Sequence, residues 1–372
     1  MRENPYRLFF PLSWLGAFAL AFVWIPAVLI ERHFLTIPGW NAYPRDLHST
    51  LAAGVFVLPA MTGFLLTAAP RMTGSSPASM IWVVALFFCE ILIPPSVLLG
   101  GTAIALLGAC AILSAFLIAT ARNAENVPSY FWIIVSGTLS GVLGAILWVL
   151  LPAERIGSNI IFYGMFPQIL LGASTMLVVP ISGSAKRMEW RTKMLSIRLF
   201  EAAGLAGLFW VSNALYFFSV KAAGMPAAIA ATVWILTRVH AATPGEFHGI
   251  LAKMFWTACI LLCIGLIGRA FPWEFSVHAA HVYWIGGLVM FLLSVSVQVL
   301  LSHGGHAMIP LPSRRTLVAL LILVLLTVVT RVSAPVVPAM YISHLSYAAF
   351  VFLIVWILWL LRFARFLGSA KS

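Results

Sequence analysis

The sequence predicts an all-α integral membrane protein, a bundle of about 12 transmembrane helices with both termini in the cytoplasm. Hydrophobic residues make up 62% of the 372-residue chain and charged residues only 9%, whereas soluble domains average about 45–50% apolar and about 25% charged residues. A chain of this composition has too little polar surface to cover a water-soluble body. Its apolar residues also fall into runs long enough to cross a hydrocarbon core, which needs roughly 20 residues of helix.

Twelve apolar runs predict the helices in order. The third and fourth runs are separated only by Gly100 and Gly101, and the eighth is short. We expect one polytopic membrane domain, 1–372, whose six-helix halves (1–181 and 198–372) are joined by a basic cytoplasmic loop, 182–197. The runs are 9–30, 49–69, 79–97, 100–121, 130–151, 158–181, 198–219, 223–238, 250–270, 278–301, 316–333 and 338–361.

Positive charge is unevenly distributed between the predicted loops. The net charge of +12 would suggest nucleic acid in a soluble protein, but no basic patch accompanies a recognisable nucleic-acid-binding module, so nucleic acid is not an expected partner. With both termini inside, 16 of the 22 lysines and arginines fall on the cytoplasmic side, as the positive-inside rule predicts, and the lipid bilayer is their expected partner. The six predicted outside are Arg32, Arg45, Arg155, Lys221, Arg269 and Arg331.

Histidines concentrate at the predicted outer ends of three helices. His48 begins the second helix, His278 and His281 begin the tenth, and His344 lies inside the twelfth. Residues three apart share a helix face, so His278 and His281 can face the same point. Imidazole suits iron and copper, and an axial histidine commonly holds haem. The pattern therefore predicts a metal or haem site, and the spacing leaves haem, copper and both open.

A haem iron takes at most two axial ligands, so the four histidines exceed what one haem needs. We expect His48 and either His278 or His281 to ligate haem iron. The remaining member of that pair, together with His344, would hydrogen-bond the haem or bind copper. Arg331 ends the eleventh helix beside these histidines, and its planar guanidinium suits a haem propionate. Arg45 and Arg269 are the alternative partners of the propionates.

Glu90 is the candidate catalytic residue. It lies near the middle of the third helix, where a carboxylate is energetically costly and usually marks a functional path. Proton transfer or redox coupling is the functional interpretation, and a structural hydrogen bond is the alternative. Pro94 and Pro95 predict a break or kink just beyond it. The tryptophans predicted as interfacial anchors are Trp24, Trp40, Trp356 and Trp359.

Three stretches resemble the NnrS family. "NPYRLFFPLSWLGAFAL" (4–20) is similar to the start of that family's first helix. "GFLLTAAPRMTG" (63–74) resembles the end of its second helix. "HAAHVYWIGGLVMFLLSVSVQVLLSHGGH" (278–306) resembles its late motif, in which a His-Ala opens a Gly-containing helix that closes on Gly-His-Thr-Gly. The stretches keep the family's order and span nearly the whole chain.

The resemblance implies a multi-pass protein of the bacterial inner membrane that carries haem and copper. It also implies a role in nitric oxide or nitrosative-stress physiology, often beside denitrification. By position, His48 falls in the family's histidine-rich start of helix 2, His278 matches the histidine that opens helix 10, and His303 falls in the following His-Gly segment. This chain has "RDLHSTLAAG" where the family has His-Ala-His-Glu-Met, and Met72 where it has tryptophan, which leaves the metal complement open.

We predict a membrane haem protein, with copper as second cofactor, that binds a small diatomic such as nitric oxide. Any catalysis would be redox chemistry of that diatomic or of the metal, with electrons from an electron donor or a partner membrane protein. Two other classes stay open: a secondary transporter for copper or a metal complex, and a haem-based sensor or assembly factor for a partner oxidase. Against transport, the two halves show no matching pair of broken helices.

Overall fold

A computed structural model shows a helical protein, as the composition predicts. Of the residues that it describes, 89% are helical and none lies in a strand. Helices suit this sequence because a hydrocarbon core offers no water to backbone N–H and C=O groups, which a helix pairs within itself. The described residues are 4–36, 44–124, 127–182, 199–218, 220, 222–234, 249–271, 275–303 and 314–367.

The helices, numbered α1 to α12 in chain order, follow the order of the predicted apolar runs within the described ranges. Four are composite: α1 is Tyr6–Phe22 and Trp24–Glu31; α2 is Arg45–Thr50, Leu51–Val57 and Leu58–Thr73; α6 is Ile156–Ile160, Ile161–Met165 and Phe166–Ser182; α10 is Ser276–His281, Val282–Val289 and Met290–His303. The others are α3 Met80–Leu99, α4 Thr102–Arg122, α5 Ser129–Leu150, α7 Leu199–Phe217, α8 Met225–Trp234, α9 Ile250–Ala270, α11 Arg314–Val332 and α12 Tyr341–Phe363.

Ten helices in the described part of the chain are long and apolar enough to cross a membrane. The other two are α7 and the shorter apolar helix α8. A multi-pass membrane bundle is therefore confirmed, whereas twelve spans and cytoplasmic termini stay predictions. Beyond Ser182, the predicted basic loop 182–197 lies outside the described residues.

Three helices change from α to π geometry for part of their length. These π segments are Leu51–Val57 in α2, Ile161–Met165 in α6 and Val282–Val289 in α10. In π geometry each hydrogen bond spans five residues, and such segments are frequent at functional sites. The first helix is interrupted at Val23, so its second part begins at Trp24. The irregular segments therefore direct attention to the part of the bundle that they share.

Each π segment packs closely against a glycine of a neighbouring helix. A Cβ atom at these glycines would meet the backbone of the π segment at less than contact distance. The absence of a side chain therefore lets the two backbones approach each other. The pairs are Gly16 with Val55, Gly137 with Met165, and Gly265 with Tyr283.

The turn between α3 and α4 forms where two glycines separate the predicted runs. Gly100 ends α3 with φ of 74°, a left-handed conformation that glycine adopts without steric penalty. The predicted break at Pro94 and Pro95 is absent, because α3 continues through both residues to Leu99. Neighbouring helices and local side chains make proline tolerable inside membrane helices.

Three of the four predicted interfacial tryptophans are buried inside the protein. Trp24 is 6% exposed, Trp356 2% and Trp359 0%. Trp359 packs on Trp14, with ring centroids 4.7 Å apart. The anchor prediction is wrong for these three because an apolar run does not reveal which of its faces meets lipid. Trp40 lies outside the described residues.

The approach of α9 to α10 yields a test of the glycine contacts. Gly265→Ala should lower the free energy of unfolding by about 1–3 kcal/mol, the usual effect of overpacking, because its Cβ would collide with the backbone of Tyr283. Gly204→Ala on α7 is the matched control, since nothing lies within 4 Å of a Cβ there. Thermal unfolding in detergent measures both, and equal melting temperatures would contradict the contact.

Candidate functional site

A cavity of about 560 Å³ lies at the end of the bundle where α1, α9 and α11 end and α2, α6 and α10 begin. Its size falls in the range of about 300–1,000 Å³ that is typical of small-molecule and cofactor sites. Residues of α1, α2, α5, α6, α9, α10, α11 and α12 line it. Both halves of the chain therefore build one site.

All three π segments contribute to the cavity wall. The side chains are mostly aromatic or aliphatic, so they form an apolar wall for a flat or hydrophobic ligand. Tyr283, within the α10 segment, joins two of these helices by donating its hydroxyl to the carbonyl of Phe162 at 3.1 Å. The lining residues from the π segments are Ala52, Phe56, Phe162, Tyr163, Trp284, Ile285 and Val289.

Four arginines, Arg45, Arg155, Arg269 and Arg331, line the same cavity, and no aspartate or glutamate is among its described lining residues. Arg269 is half-buried, with its guanidinium 5.1 Å from the Tyr163 ring centroid. A cavity that is lined by cations and has apolar walls has a positive electrostatic potential and attracts anions. The site therefore suits an amphipathic molecule that carries negative groups.

Arg331 is held in place by His278. The arginine is 6% exposed and His278 is 8% exposed. Arginine only donates hydrogen bonds, so its Nη1 donates to His278 Nδ1, 2.9 Å away. In the neutral imidazole of His278, Nδ1 therefore carries the lone pair and Nε2 carries the proton. His278 itself is not among the residues that line the cavity.

His48 and His281 both line the cavity, on α2 and α10. Their ring centroids lie 6.5 Å apart and their ring planes differ by 21°. The indole Nε1 of Trp24 donates to His48 Nδ1 at 3.0 Å. His281 Nδ1 lies 2.7 Å from the carbonyl oxygen of Val277, one turn earlier on α10. The structure thus brings together two of the predicted histidines, each with a fixed partner.

Other predicted residues lie away from the cavity lining. His344 is half-buried, with Nδ1 3.3 Å from Ser333 Oγ. Glu90 is 1% exposed, and neither carboxylate oxygen has a hydrogen-bond partner in the described structure. His303 ends α10, but its side chain is outside what the structure describes. Across the described ranges, no group of three or more His, Cys, Asp or Glu is close enough to hold a metal ion.

Sequence reasoning missed two members of the site. The sequence places Trp24 at the lipid interface, yet its indole N–H donates to His48. The sequence predicts Arg155 only as one of six cations on the outer side, yet the residue lines the cavity and has φ of 51°. A non-glycine residue in that conformation is strained and is commonly found near functional sites. The six cations predicted on the outer side could have pointed to the site, because four of them line the cavity.

The comparison with protein families gives one result. The profile of the family described as NnrS protein matches residues 1–371, essentially the whole chain. No curated protein matches the chain. The family match covers every helix that contributes to the cavity.

The pairing of His278 with Arg331 yields a prediction. His278→Ala should lower the free energy of unfolding by about 1–3 kcal/mol, because a buried arginine loses this acceptor. His278→Asn should keep most of the stability, since the amide oxygen can occupy the place of Nδ1 and accept the same bond. Thermal unfolding of the two variants tests this, and equal losses would show that the acceptor is unimportant.

Proposed function

The chain belongs to the NnrS family of membrane proteins linked to the nitric oxide response, and from this premise we propose that it is a haem protein of the bacterial inner membrane. The haem would occupy the arginine-lined cavity. The observation that carries the proposal is the combination, in one cavity, of an imidazole that can coordinate iron with apolar walls and several cations.

His281 has the hydrogen bond expected of an iron ligand. A carbonyl oxygen only accepts, so His281 Nδ1 donates its proton to the Val277 carbonyl at 2.7 Å. Its Nε2 therefore keeps a lone pair for a metal. Ligating histidines almost always donate their other N–H in this way, which fixes the tautomer and the ring orientation. Because haem would bring its own nitrogen ligands, it would need only an imidazole from the chain, and the described residues need not supply a larger ligand group.

The arginines suit the two propionates of haem. Guanidinium groups match carboxylates in geometry and bind them with paired hydrogen bonds. Arg331 is the most buried of the four cavity arginines, and His278 fixes its direction. Arg45 and Arg155 are exposed and would meet propionates at the cavity opening. The aromatic side chains of Phe56 and Trp284 would meet the porphyrin faces or edges.

Bound haem would supply the affinity for nitric oxide and any redox chemistry, as cofactors generally do. The chain would supply the proximal imidazole, the charge that holds the propionates and the apolar walls that limit water. We propose copper as a second cofactor, with His344, which is outside the cavity lining, as one candidate ligand and His303 as a separate candidate by its place in the sequence. An electron donor or partner membrane protein is proposed for any redox turnover.

The absorption spectrum of the purified full-length protein tests the haem proposal. Wild-type protein should show a Soret band, and His281→Ala should lose most of the haem or its imidazole-ligated spectrum, with recovery when free imidazole is added. His344→Ala is the matched control, because that histidine does not line the cavity, and it should retain full haem. Iron and copper are measured on the same samples.

The alternatives make the opposite prediction for the same spectra. A colourless, metal-free wild-type protein would contradict the haem proposal and favour a secondary transporter. Haem retained in both histidine variants would place the cofactor elsewhere in the chain. Haem without any reaction toward nitric oxide would favour an assembly factor for a partner oxidase.

Glu90 is proposed to couple proton movement to the redox state of the haem. A buried carboxyl group without a hydrogen-bond partner responds to nearby charge by changing its protonation. Glu90→Gln should keep haem content near normal and reduce the pH dependence of the haem midpoint potential, because the amide cannot exchange that proton. Spectroscopic redox titrations at several pH values measure this. An unchanged pH dependence together with a lower melting temperature would indicate a structural role.

A further inference from the structure

Arg269 is the cavity arginine to which haem gives no role. It lies in the last turn of α9 and lines the cavity, whereas haem has two propionates and the other three arginines are their proposed partners. Its guanidinium lies over the ring of Tyr163, 5.1 Å from the centroid. Because an aromatic face attracts a cation within about 6 Å, Tyr163 holds this charge in the cavity wall.

Arg269 and Arg331 belong to different sides of the cavity. The charge of Arg331 acts on the histidines beside it, whereas the charge of Arg269 acts on phenols. The groups are His48, His278 and His281 for Arg331, and Tyr163 and Tyr216 for Arg269. The cavity therefore has a histidine side, where the haem ligand is proposed, and a tyrosine side, formed by Tyr163 and Arg269, with a cation of its own.

The groups that act on the charge of Arg269 carry no negative charge. They are neutral phenols, and no aspartate or glutamate is among the described residues that line the cavity. The guanidinium is half-buried at the end of a membrane-spanning helix, where a charge without an opposite partner is costly. An anion that enters the cavity would therefore supply an interaction that the lining residues do not.

Asn159 adds hydrogen-bond donors to the tyrosine side. It lies one turn before Tyr163 on α6, and both residues line the cavity together with Arg269. Its side-chain amide offers two N–H donors, and a guanidinium can bind two coplanar oxygen atoms through paired hydrogen bonds. A planar oxyanion matches this set of donors better than a spherical halide does.

We infer that Arg269 and Asn159 bind a small planar oxyanion on the tyrosine side of the cavity, separately from the propionates of haem. The positive potential of the cavity attracts anions through the opening, where Arg155 is exposed. Nitrite is the member of this class nearest to the proposed function, because it is one electron more oxidised than nitric oxide. That choice rests on the proposed function, whereas the site itself requires no haem.

Anion binding to the purified full-length protein, measured by calorimetry at constant ionic strength, tests the inference. Nitrite also ligates ferric iron, so nitrate is titrated in parallel as a planar oxyanion that is a poor iron ligand, and chloride is the reference. Wild type should bind both oxyanions more tightly than chloride. Arg269→Gln should weaken nitrate binding about tenfold or more, the loss expected for hydrogen bonds from a charged group.

Arg122→Gln is the matched control for the lost charge. Arg122 also lies in the last turn of a helix, α4, and it does not line the cavity, so this variant should bind nitrate as wild type does. Asn159→Ala should weaken nitrate binding about twofold to tenfold, the loss expected for one neutral hydrogen bond. The Soret band should show wild-type haem content in all three variants, because none of these side chains is proposed to hold haem.

Three results would overturn the inference. They are a wild type that binds the oxyanions no better than chloride, equal losses in Arg269→Gln and Arg122→Gln, and an Arg269→Gln protein that loses haem but keeps nitrate binding, since Arg269 would then serve a propionate. If Arg269→Gln does not fold, unchanged nitrate binding in Asn159→Ala overturns it instead. A wild type without haem that still binds nitrate through Arg269 and Asn159 would contradict the proposed function and support this site.

Discussion

The close approach of glycine backbones to π-helical segments is the constraint on which the cavity depends. A π segment is wider than an α-helix, so it fits into a packed bundle only where a neighbouring helix has no side chain. Gly16 and Gly265 provide that space for the segments of α2 and α10. The added residue in each wide turn changes the direction of the following side chains. Phe56 and Trp284, which lie within these two π segments, both line the cavity.

Charge at this end of the bundle follows from a different constraint. The positive-inside rule leaves few cations for the predicted outer side, yet Arg45, Arg155, Arg269 and Arg331 all line the cavity. Topology requires none of them there, and a buried guanidinium in a membrane needs a partner of opposite charge or a hydrogen-bond acceptor. For Arg331 the protein supplies a neutral acceptor, His278. This hydrogen bond orients the guanidinium without adding a negative charge beside it.

The sequence predicts the fold better than the site, for physical reasons. Apolar run length is a local property, so the order of the helices and the turn at Gly100 could be read directly. Trp24 was misplaced because hydropathy does not separate a lipid-facing side from a protein-facing side. The sequence does not predict the π segments, because a run of apolar residues is compatible with both α and π geometry. The grouping of His48 with His281 could be expected from their predicted depth, but their partners depend on three-dimensional contacts with Trp24 and with the Val277 carbonyl.

Those partners make the cavity chemically asymmetric, and the asymmetry bears on function. Two identical ligating imidazoles would saturate a haem iron and suit electron transfer, because no coordination position would be left for a substrate. Here a backbone carbonyl fixes one imidazole as a base, and an indole fixes the other as a donor. The first hydrogen bond lies within one helix, whereas the second joins α1 to α2 and depends on their packing. One ring therefore presents a lone pair at Nε2 and the other presents an N–H, so the two histidines of the cavity differ in the chemistry that each can offer a ligand.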